Sequence, residues 1–549
     1  MSDALAKSLV ETGKKLFSKK GQWNELCQEI AEHFYPLRSD FTTSFSLGTD
    51  FSVDLMESTG VLARETLGNA PEAMLRQGNW FKVSTGVEEI DDKPENEKWL
   101  EAATKRYRSM IYDRRANFST ATKEADHDWV TFGNPVLSVQ TDAERKHLLF
   151  KAYHPKDCAW TEDASGHVDR MHRKVPMTAR NVVSRYPKTV HSIVKDVAKK
   201  DPTKIVQIEQ VVLPVGDLNL SKDKVRKKFG DNGFASIFVD TENDTVLSES
   251  GLPVFNFVVP RWRRAGKFPQ GFSPITTTAL PDSRTLQVVT QTLLETGEKS
   301  ADAPLIGNAN IFRDSLNVYA GGFTTVDLKE GSKIRDNLMQ LPPGGDFNVG
   351  LSMQNDFREM ISEAFLLNKL FLPDTRAMTA FEVEQRLAEF RRAALPFFGP
   401  IESEYHLPLL EIGFAIAITL DEFKENIADM PDDLAERDAV FNFTSPLDSA
   451  DGSEKVSAYQ QTLQLTAATA QVDPKAANRI DFAKAYTDAV KGAGASASWF
   501  KDETQTEAED ASQDQISSIE AAAQLANAGA DLTKNVSEAE MAATEAGLQ

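Results

Sequence analysis

Eight histidines, two cysteines and several carboxylate pairs are the residues of this sequence that could carry catalytic or metal chemistry. His167 and His172 are close together, but their odd spacing in a predicted strand puts them on opposite faces, which is poor for sharing a metal ion. Cys158 lies near His154, and such a pair can activate a thiol, although a small buried cysteine near a strand end is the commoner arrangement. These residues therefore predict no metal site, no cofactor and no enzymatic activity.

Short motifs that bind phosphate or support hydrolysis are missing from the chain. The nearest approach to a P-loop is Gly297-Glu298-Lys299-Ser300, which has one residue too many between the glycine and the lysine. The patterns G-x-G-x-x-G, G-x-S-x-G and H-E-x-x-H do not occur. A nucleic-acid-processing enzyme would also need a set of metal-binding carboxylates, which the sequence does not offer.

A basic cluster surrounds Trp262 in the segment PRWRRAGKFP, within a stretch from Glu249 to Asp282 that has no acidic residue between its ends. Arginine beside an aromatic ring can contact phosphate and stack on bases, so the cluster could be a basic contact surface. The alternative, which the acidic composition favours, is a strand end whose guanidinium groups pair with acids of a neighbouring segment or subunit. The cluster consists of Arg261, Arg263, Arg264 and Lys267.

The composition predicts a soluble protein of several domains. The 549 residues are 41% hydrophobic and 26% charged, with a net charge of −21, so the surface as a whole does not favour anionic partners. Two distant cysteines argue against a disulfide scaffold and fit a reducing compartment. The N-terminus has no apolar signal region, and the best apolar run, 412–420, is too short to cross a bilayer. We expect no membrane partner.

Periodicity predicts helices over most of the first 130 residues and a β-rich module at about 136–260. A helix follows at about 281–297, with Asp282 as N-cap and Gly297 as stop, and another at about 351–371. Between them lies a segment rich in glycine and proline. The two helices therefore flank a small α/β segment, one leading into it and the other leading back.

The next predicted helix opens with Thr379 and Glu382 as a capping box and then meets several helix breakers without losing its apolar rhythm. A proline inside a helix kinks or ends it, at a cost of about 3 kcal/mol. One more strand is predicted in DAVFNFTSPL and helix at 453–492. The final residues, 501–549, hold 2 basic and 11 acidic residues and no aromatic one. The predicted kink residues are Pro396, Gly399 and Pro400, and the alternative is two separate helices joined by an ordinary loop.

Eight segments in this order resemble the head-to-tail connecting (portal) proteins of short-tailed bacteriophages, and together they span about residues 20–490. This sequence differs from the family pattern in PQGFSP, where a more glycine-rich turn is expected, and in the acidic tail, which does not align with the family. The matching segments are QWNELCQEIAEHFYPLRSDF, NWF, ANFSTATKEADHDWVTFGN, TEDASGHVDRMHRKVPMTARNV, PRWRRAGKFPQGFSP, ALPDSRTLQ, MTAFEVEQRLAEF and FNFTSPLDSA.

This resemblance implies the portal fold, an α+β arrangement of a mainly helical wing, stem and crown with a β-rich wing module and a small α/β clip. It also implies a loop that projects toward DNA. Lys369, at the end of the returning helix, and Arg376, in the loop, are the channel candidates, and the alternative is that they are ordinary charges at a helix end. The implied parts are wing 1–280, outgoing stem helix 281–301, clip 302–348, returning stem helix 349–371, channel loop 372–378, kinked wing helix and last wing strand 379–450, crown 451–500 and acidic tail 501–549.

The implied function is a ring, usually of twelve subunits, at one vertex of the phage head, assembled in the host cytoplasm. Double-stranded DNA passes through it during packaging and ejection without sequence specificity, and an acidic chain suits such sliding because tight phosphate contacts would slow it. Implied partners are the major capsid and scaffolding proteins, the packaging ATPase (terminase), tail adaptor and tube proteins, and internal core proteins. The alternative is an adaptor that binds such a ring without forming one, and the oligomeric state distinguishes the two.

Overall fold

Helices and antiparallel sheets are combined in the described part of the chain, which confirms the predicted α+β class. The chain divides into two compact units, Met1–Lys82 with Thr104–Ala428 and Phe441–Leu447, and Val83–Ala103 with Asp429–Val440 and Asp448–Gln549. The computed structural model describes residues 2–46, 48–52, 55–142, 146–218, 222–266, 268–301, 305–307, 338–340, 347–367, 399–425, 427, 429–435, 437–443, 450–470 and 480–492. The predicted channel loop, the acidic tail and most of the predicted clip lie outside these residues.

The N-terminal part is mainly helical, as predicted, and two of its helices end beside a residue that stops a helix. The second helix buries Trp23, Cys27, Ile30 and Phe34 along one side and stops before a proline. The sixth ends at Gly133, whose φ of +78° is the left-handed conformation that glycine adopts without a Cβ penalty. The elements are α1 Ser2–Lys19, α2 Gly21–Phe34, α3 Thr59–Leu75, β1 Phe81–Ser84, α4 Glu88–Asp91, α5 Pro94–Ile111 and α6 Phe118–Phe132.

The β-rich module contains a five-stranded sheet of order β4-β5-β6-β7-β8 and a three-stranded sheet of order β3-β2-β9. The predicted hairpin around Ser165-Gly166 is confirmed, since β4 and β5 pair antiparallel across this turn. The elements are β2 Val136–Thr141, β3 Leu148–Tyr153, β4 Cys158–Glu162, β5 Val168–Thr178, α7 Ala179–Arg185, α8 Ser192–Lys200, β6 Ile205–Pro214, α9 Lys222–Phe229, β7 Phe234–Asp240, β8 Thr245–Leu252, β9 Phe257–Val258, β10 Arg263–Arg264 and β11 Gly271–Phe272.

Helices cover both faces of the five-stranded sheet. Alternate residues of β6 point to opposite faces. Val211 and Leu213 belong to a core with Leu9 of α1, whereas Val206 and Ile208 belong to a core with α7 and α8. Because both faces are covered, the second half of β6 carries apolar residues at successive positions, Val211, Val212 and Leu213, which is typical of a buried strand.

Two long helices, α10 Pro274–Ala301 and α11 Phe347–Ala364, pack against each other. The prediction that Asp282 caps α10 and that Gly297 ends it was wrong. The helix begins at Pro274, because the Ser273 hydroxyl accepts a hydrogen bond from the Thr276 amide at 3.3 Å and proline is well suited to the first helical position. It passes through Gly297 because an interior glycine costs only about 1 kcal/mol.

A short antiparallel pair lies between these helices in sequence, and the C-terminal elements follow them. Gly399 and Pro400 are helical, and a π-helical turn follows at Glu402–His406. Pro408 accounts for the wide turn, since it has no N–H and its ring would clash with the carbonyl of Glu404 in an α-helix. The strand predicted in DAVFNFTSPL is confirmed. The elements are β12 Leu305–Gly307, β13 Leu338–Gln340, α12 Leu407–Ala417, α13 Asp421–Glu425, α14 Asp432–Ala435, β14 Val440–Phe443, α15 Ala450–Ala470 and α16 Phe482–Gly492.

An aromatic core joins distant parts of the first unit. The buried ring of Tyr107 lies 5.7 Å from Phe81, 5.2 Å from Phe414 and 6.1 Å from Phe441, measured between ring centroids. Its hydroxyl donates a hydrogen bond to the carbonyl of Leu410 at 2.7 Å. This one side chain therefore connects an N-terminal helix to two elements that lie more than three hundred residues later in the chain.

Candidate functional site

Arg261 of the predicted basic cluster is buried, with only 7% of the residue exposed, and its charge is balanced by two carboxylates. Its Nε lies 3.1 Å from an Oε of Glu404, and Nη1 forms an ion pair with Glu162. Nη2 donates to the carbonyl of Gly166 at 3.0 Å. The guanidinium group thus ties the β4–β5 hairpin to the π-helical turn.

The rest of the cluster is more exposed, but much of it also has partners within the chain. Trp262 stacks on Trp129, with ring centroids 3.9 Å apart and an interplanar angle of 7°, so one face of its ring is already covered. Arg264 lies 2.8 Å from Glu162. Arg263 is exposed on β10, and Lys267 lies outside the described residues. A contact of the exposed arginines with DNA stays a prediction.

Three further predicted site residues, Lys369, Arg376 and Pro396, lie outside the described part of the chain. Gly399 and Pro400 lie directly before the π-helical turn, and whether these two and Pro396 bend the helix also stays a prediction.

The base of the α10–α11 pair is fixed to the N-terminal region by hydrogen bonds. Gln287 Nε2 donates to the carbonyl of Glu57 at 2.9 Å, and Gln287 Oε1 accepts from the Glu57 amide at 3.0 Å. The carboxylate of Glu57 in turn accepts from Arg358 of α11 at 2.6 Å. Between the helices, Gln354 Nε2 donates to Thr290 Oγ1 at 2.9 Å. These contacts orient the helix pair on the body of the first unit.

Helix α11 has two apolar faces, and α10 covers one of them. Gln354 and Ile361 are buried. Val349, Met353 and Met360, which helical periodicity places together about a quarter-turn away, are 55%, 44% and 45% exposed. Solvent-exposed apolar side chains in such a stripe are typical of an interface with another chain.

Helix α6 carries two buried carboxylates, each paired with an arginine. The side chains of Asp126 and Arg76 are 0% and 2% exposed and form an ion pair. Asp128 accepts from Arg38 at 2.8 and 3.1 Å. Sequence reasoning missed both pairs. The available signal was the run A-D-H-D in the middle of a helix that otherwise reads as core, because buried charges need partners.

Two neutral histidines complete this buried network as hydrogen-bond acceptors. Arg76 Nη1 lies 3.2 Å from His406 Nε2, and Arg64 Nη1 lies 2.8 Å from His127 Nδ1. Since a guanidinium group can only donate, each of these ring nitrogens must be unprotonated. Burial and Arg76 hold the pKa of His406 well below its usual range, and burial and Arg64 lower the pKa of His127 to about 4.

We expect the protein to lose stability as the pH falls below about 6.5. Unfolded His406 binds a proton there, whereas the folded state cannot, so the unfolded state is favoured by about 1.4 kcal/mol per pH unit for one fully linked proton. The variant H406Q keeps an acceptor for Arg76 but does not titrate, so its Tm should depend less on pH between 6.5 and 5. The variant H167Q, which replaces an exposed histidine, is the control. If Tm depended on pH equally in wild type and H406Q, His406 would not be the group that links stability to pH.

Other side chains considered for chemistry are engaged elsewhere. Burial raises the pKa of the Cys158 thiol to about 12, and His154 Nε2 lies 2.7 Å from a carboxylate oxygen of Asp40. Within the described ranges, no group of three or more His, Cys, Asp or Glu side chains is placed to hold a metal ion. No helix among the described residues is long and apolar enough to span a membrane.

Comparison with known proteins gives consistent matches over most of the sequence. The portal protein of Salmonella phage epsilon15 is 21% identical over 491 residues, covering 87% of this chain and 85% of that protein. The probable portal protein of Bordetella phage BPP-1 is 24% identical over 435 residues, covering 74% of each chain. The family described as bacteriophage head to tail connecting protein matches residues 6–500. The chain therefore belongs to this family of bacteriophage head to tail connecting proteins.

Proposed function

We propose that this chain is a portal protein that forms a ring at one vertex of a phage head. Double-stranded DNA enters and leaves through the ring, and the tail assembles on it. Membership of the connector family over residues 6–500 and two relatives that are named as portal proteins support this function. The protein is a component of the virion, at the junction of head and tail, and its partners belong to the capsid and the tail.

The exposed apolar stripe of α11 is the structural observation that best supports assembly of the chain into a ring. A second copy packed against Val349, Met353 and Met360 would remove them from water at a gain of about 25 cal/mol per Å² of apolar surface. Helix α10 adds exposed Val288 and Leu294 to the same helix pair. In a ring, each helix pair meets a neighbour on either side, so every subunit buries this surface without leaving an open end.

The finer features of the proposal follow from the family. They are about twelve subunits, a scaffold that assists assembly, a terminase that docks during packaging, tail adaptors and internal core proteins. They also include approach to DNA by Lys369, at the end of the returning stem helix, and by Arg376, in the channel loop. The net charge of −21 supports passage rather than retention of DNA, because a channel with few phosphate contacts opposes sliding less.

The native mass of the purified protein, with negative-stain images of the same fraction, tests the proposal. We expect a closed ring with a central hole for the wild type. The double variant M353E/M360E should remain monomeric, with unchanged circular dichroism, because it places charge on the subunit contact. I193E/I205E, which makes the same change at two exposed isoleucines of the β-rich module, is the matched control and should still form rings.

If the wild-type protein alone is monomeric, its native mass is measured again in the presence of scaffold and capsid protein. A wild-type chain that stays monomeric even then contradicts the ring and favours an adaptor that binds a ring. Rings formed by M353E/M360E would show that the stripe on α11 is not the subunit contact.

A further inference from the structure

A strongly basic surface lies on the α7–α8 hairpin, residues 179–204, in a chain that is otherwise acidic. This segment, here called the basic hairpin, has seven Lys and Arg residues and two acidic ones, whereas the whole chain has 61 and 82. Concentrated positive charge on an acidic protein attracts an anionic partner locally. The seven bases are Arg180, Arg185, Lys188, Lys195, Lys199, Lys200 and Lys204.

The basic hairpin packs on the five-stranded sheet through several apolar side chains, and most of its basic residues are exposed. Val182 and Val194 are buried against β6 and β8. The Ala179 amide donates to the carbonyl of Lys204 at 2.8 Å, which joins the first residue of α7 to the last residue of the segment. In the turn between α7 and α8, Thr189 Oγ1 donates to the carbonyl of Leu247 of β8 at 2.6 Å. A surface with a fixed backbone loses little conformational entropy when it binds a partner.

The positive charge of this surface is largely uncompensated. Among the ion pairs of the described residues, the basic hairpin contributes one, Lys199 with Asp196 at 3.6 Å, and both side chains are exposed. Its other acid, Asp201, already accepts hydrogen bonds from the amide and hydroxyl of Thr203 at 3.1 and 2.7 Å. Among the residues that the structure describes, most of these cations therefore have no carboxylate partner.

Two neighbouring strands add to the positive field. Arg173 of β5 carries its guanidinium carbon 4.2 Å from the ring centroid of Tyr153. Burial and then the charges of Arg173 and Arg185 lower the pKa of Lys151 on β3, so these cations repel one another. An anion placed over them would relieve that repulsion.

We propose that the basic hairpin, which is separate in sequence from the predicted channel loop 372–378, binds the phosphate backbone of double-stranded DNA. The cations are spread over α7, the turn, α8 and the segment between α8 and β6, an arrangement that suits a repeating polyanion better than a single small anion. Lysine and arginine contacts of this kind are independent of sequence and weaken steeply with salt. This inference rests on the proposed function, which brings duplex DNA to the protein.

Binding of a short labelled DNA duplex, titrated at several salt concentrations, tests the site. K188Q/K199Q/K200Q should weaken binding and make the plot of log K against log salt shallower by about 0.9 for each lysine that contacts phosphate. The control K7Q/K14Q/K15Q removes the same charge from exposed positions of α1, on the other side of the sheet, and should keep the wild-type slope.

An unchanged slope in the hairpin variant, or an equal loss in the control, would overturn the proposal. Polyglutamate that displaces the duplex at equal charge would also overturn it, in favour of an acidic protein partner. Circular dichroism and native mass verify that each variant is folded and assembled as the wild type. The titration is read on monomer and ring fractions separately, so failure of ring formation and failure of DNA binding are distinguished.

Discussion

Replacing Asp126 by asparagine is expected to destabilise the protein by about 3–5 kcal/mol, because it leaves the guanidinium group of Arg76 buried without a counter-charge. Both side chains are almost completely inaccessible, and the other hydrogen bond described for the guanidinium group of Arg76 is the one with neutral His406. The free energy of unfolding, measured by urea titration of wild type and D126N, gives the effect directly.

The exposed pair of Arg284 and Glu29 is the control, since its side chains are 50% and 39% accessible. Because water screens such pairs, E29Q should cost no more than about 1 kcal/mol. The double variant R76M/D126L removes both buried charges and should recover much of the stability that D126N loses. An equal cost for D126N and E29Q would show that the α6 pair is not an isolated buried pair.

Replacing Gly133 by alanine is the second large effect, and we expect a loss of about 3 kcal/mol or more. Gly133 has a φ of +78°, and a Cβ there would run into the backbone of Phe272 and Ser273, which cannot rotate away as a side chain could. Its carbonyl also accepts a hydrogen bond from the Trp262 amide at 3.0 Å. The substitution therefore disturbs the junction of α6 with the segment that begins α10.

Gly78 is a matched control, because its φ is +62° but no atom lies within 4 Å of the position of a Cβ. G78A should cost about 1–2 kcal/mol from backbone strain alone. The difference in the loss of unfolding free energy between G133A and G78A isolates the cost of the steric contact. Loss of the near-UV circular dichroism signal of the stacked Trp129 and Trp262 would show that the structural change lies at this junction. Equal costs would mean that the backbone around Gly133 can yield.

The β-rich module was predictable because strands such as β3 and β7 are short runs rich in apolar residues, and turn residues such as Ser165-Gly166 separate the strands. The start of α10 was not, since Ser273-Pro274 and Pro281-Asp282 are both good local starts for a helix. The hydrogen bond between Ser273 and Thr276 favours the earlier one. Local capping signals compete, and only the packing of the whole helix decides between them.

The site was less predictable because its partners are distant in sequence. Arg261 pairs with Glu404, 143 residues away, and Arg76 with Asp126, 50 residues away. A single sequence shows that such charges exist but not which of them meet. Helix α11 illustrates a related limit: its pattern identifies apolar residues on two sides, but it does not tell which side packs within the chain and which remains for a neighbour.

The aromatic core around Tyr107 has a consequence for how the protein is made. Phe81 and Tyr107 leave the ribosome long before Phe414 and Phe441, the rings that complete their packing. At about 5–20 residues per second, the interval is on the order of half a minute. During that time an incomplete apolar surface is exposed on the nascent chain, and it is a natural substrate for chaperones. The timing of translation therefore sets when this core can close.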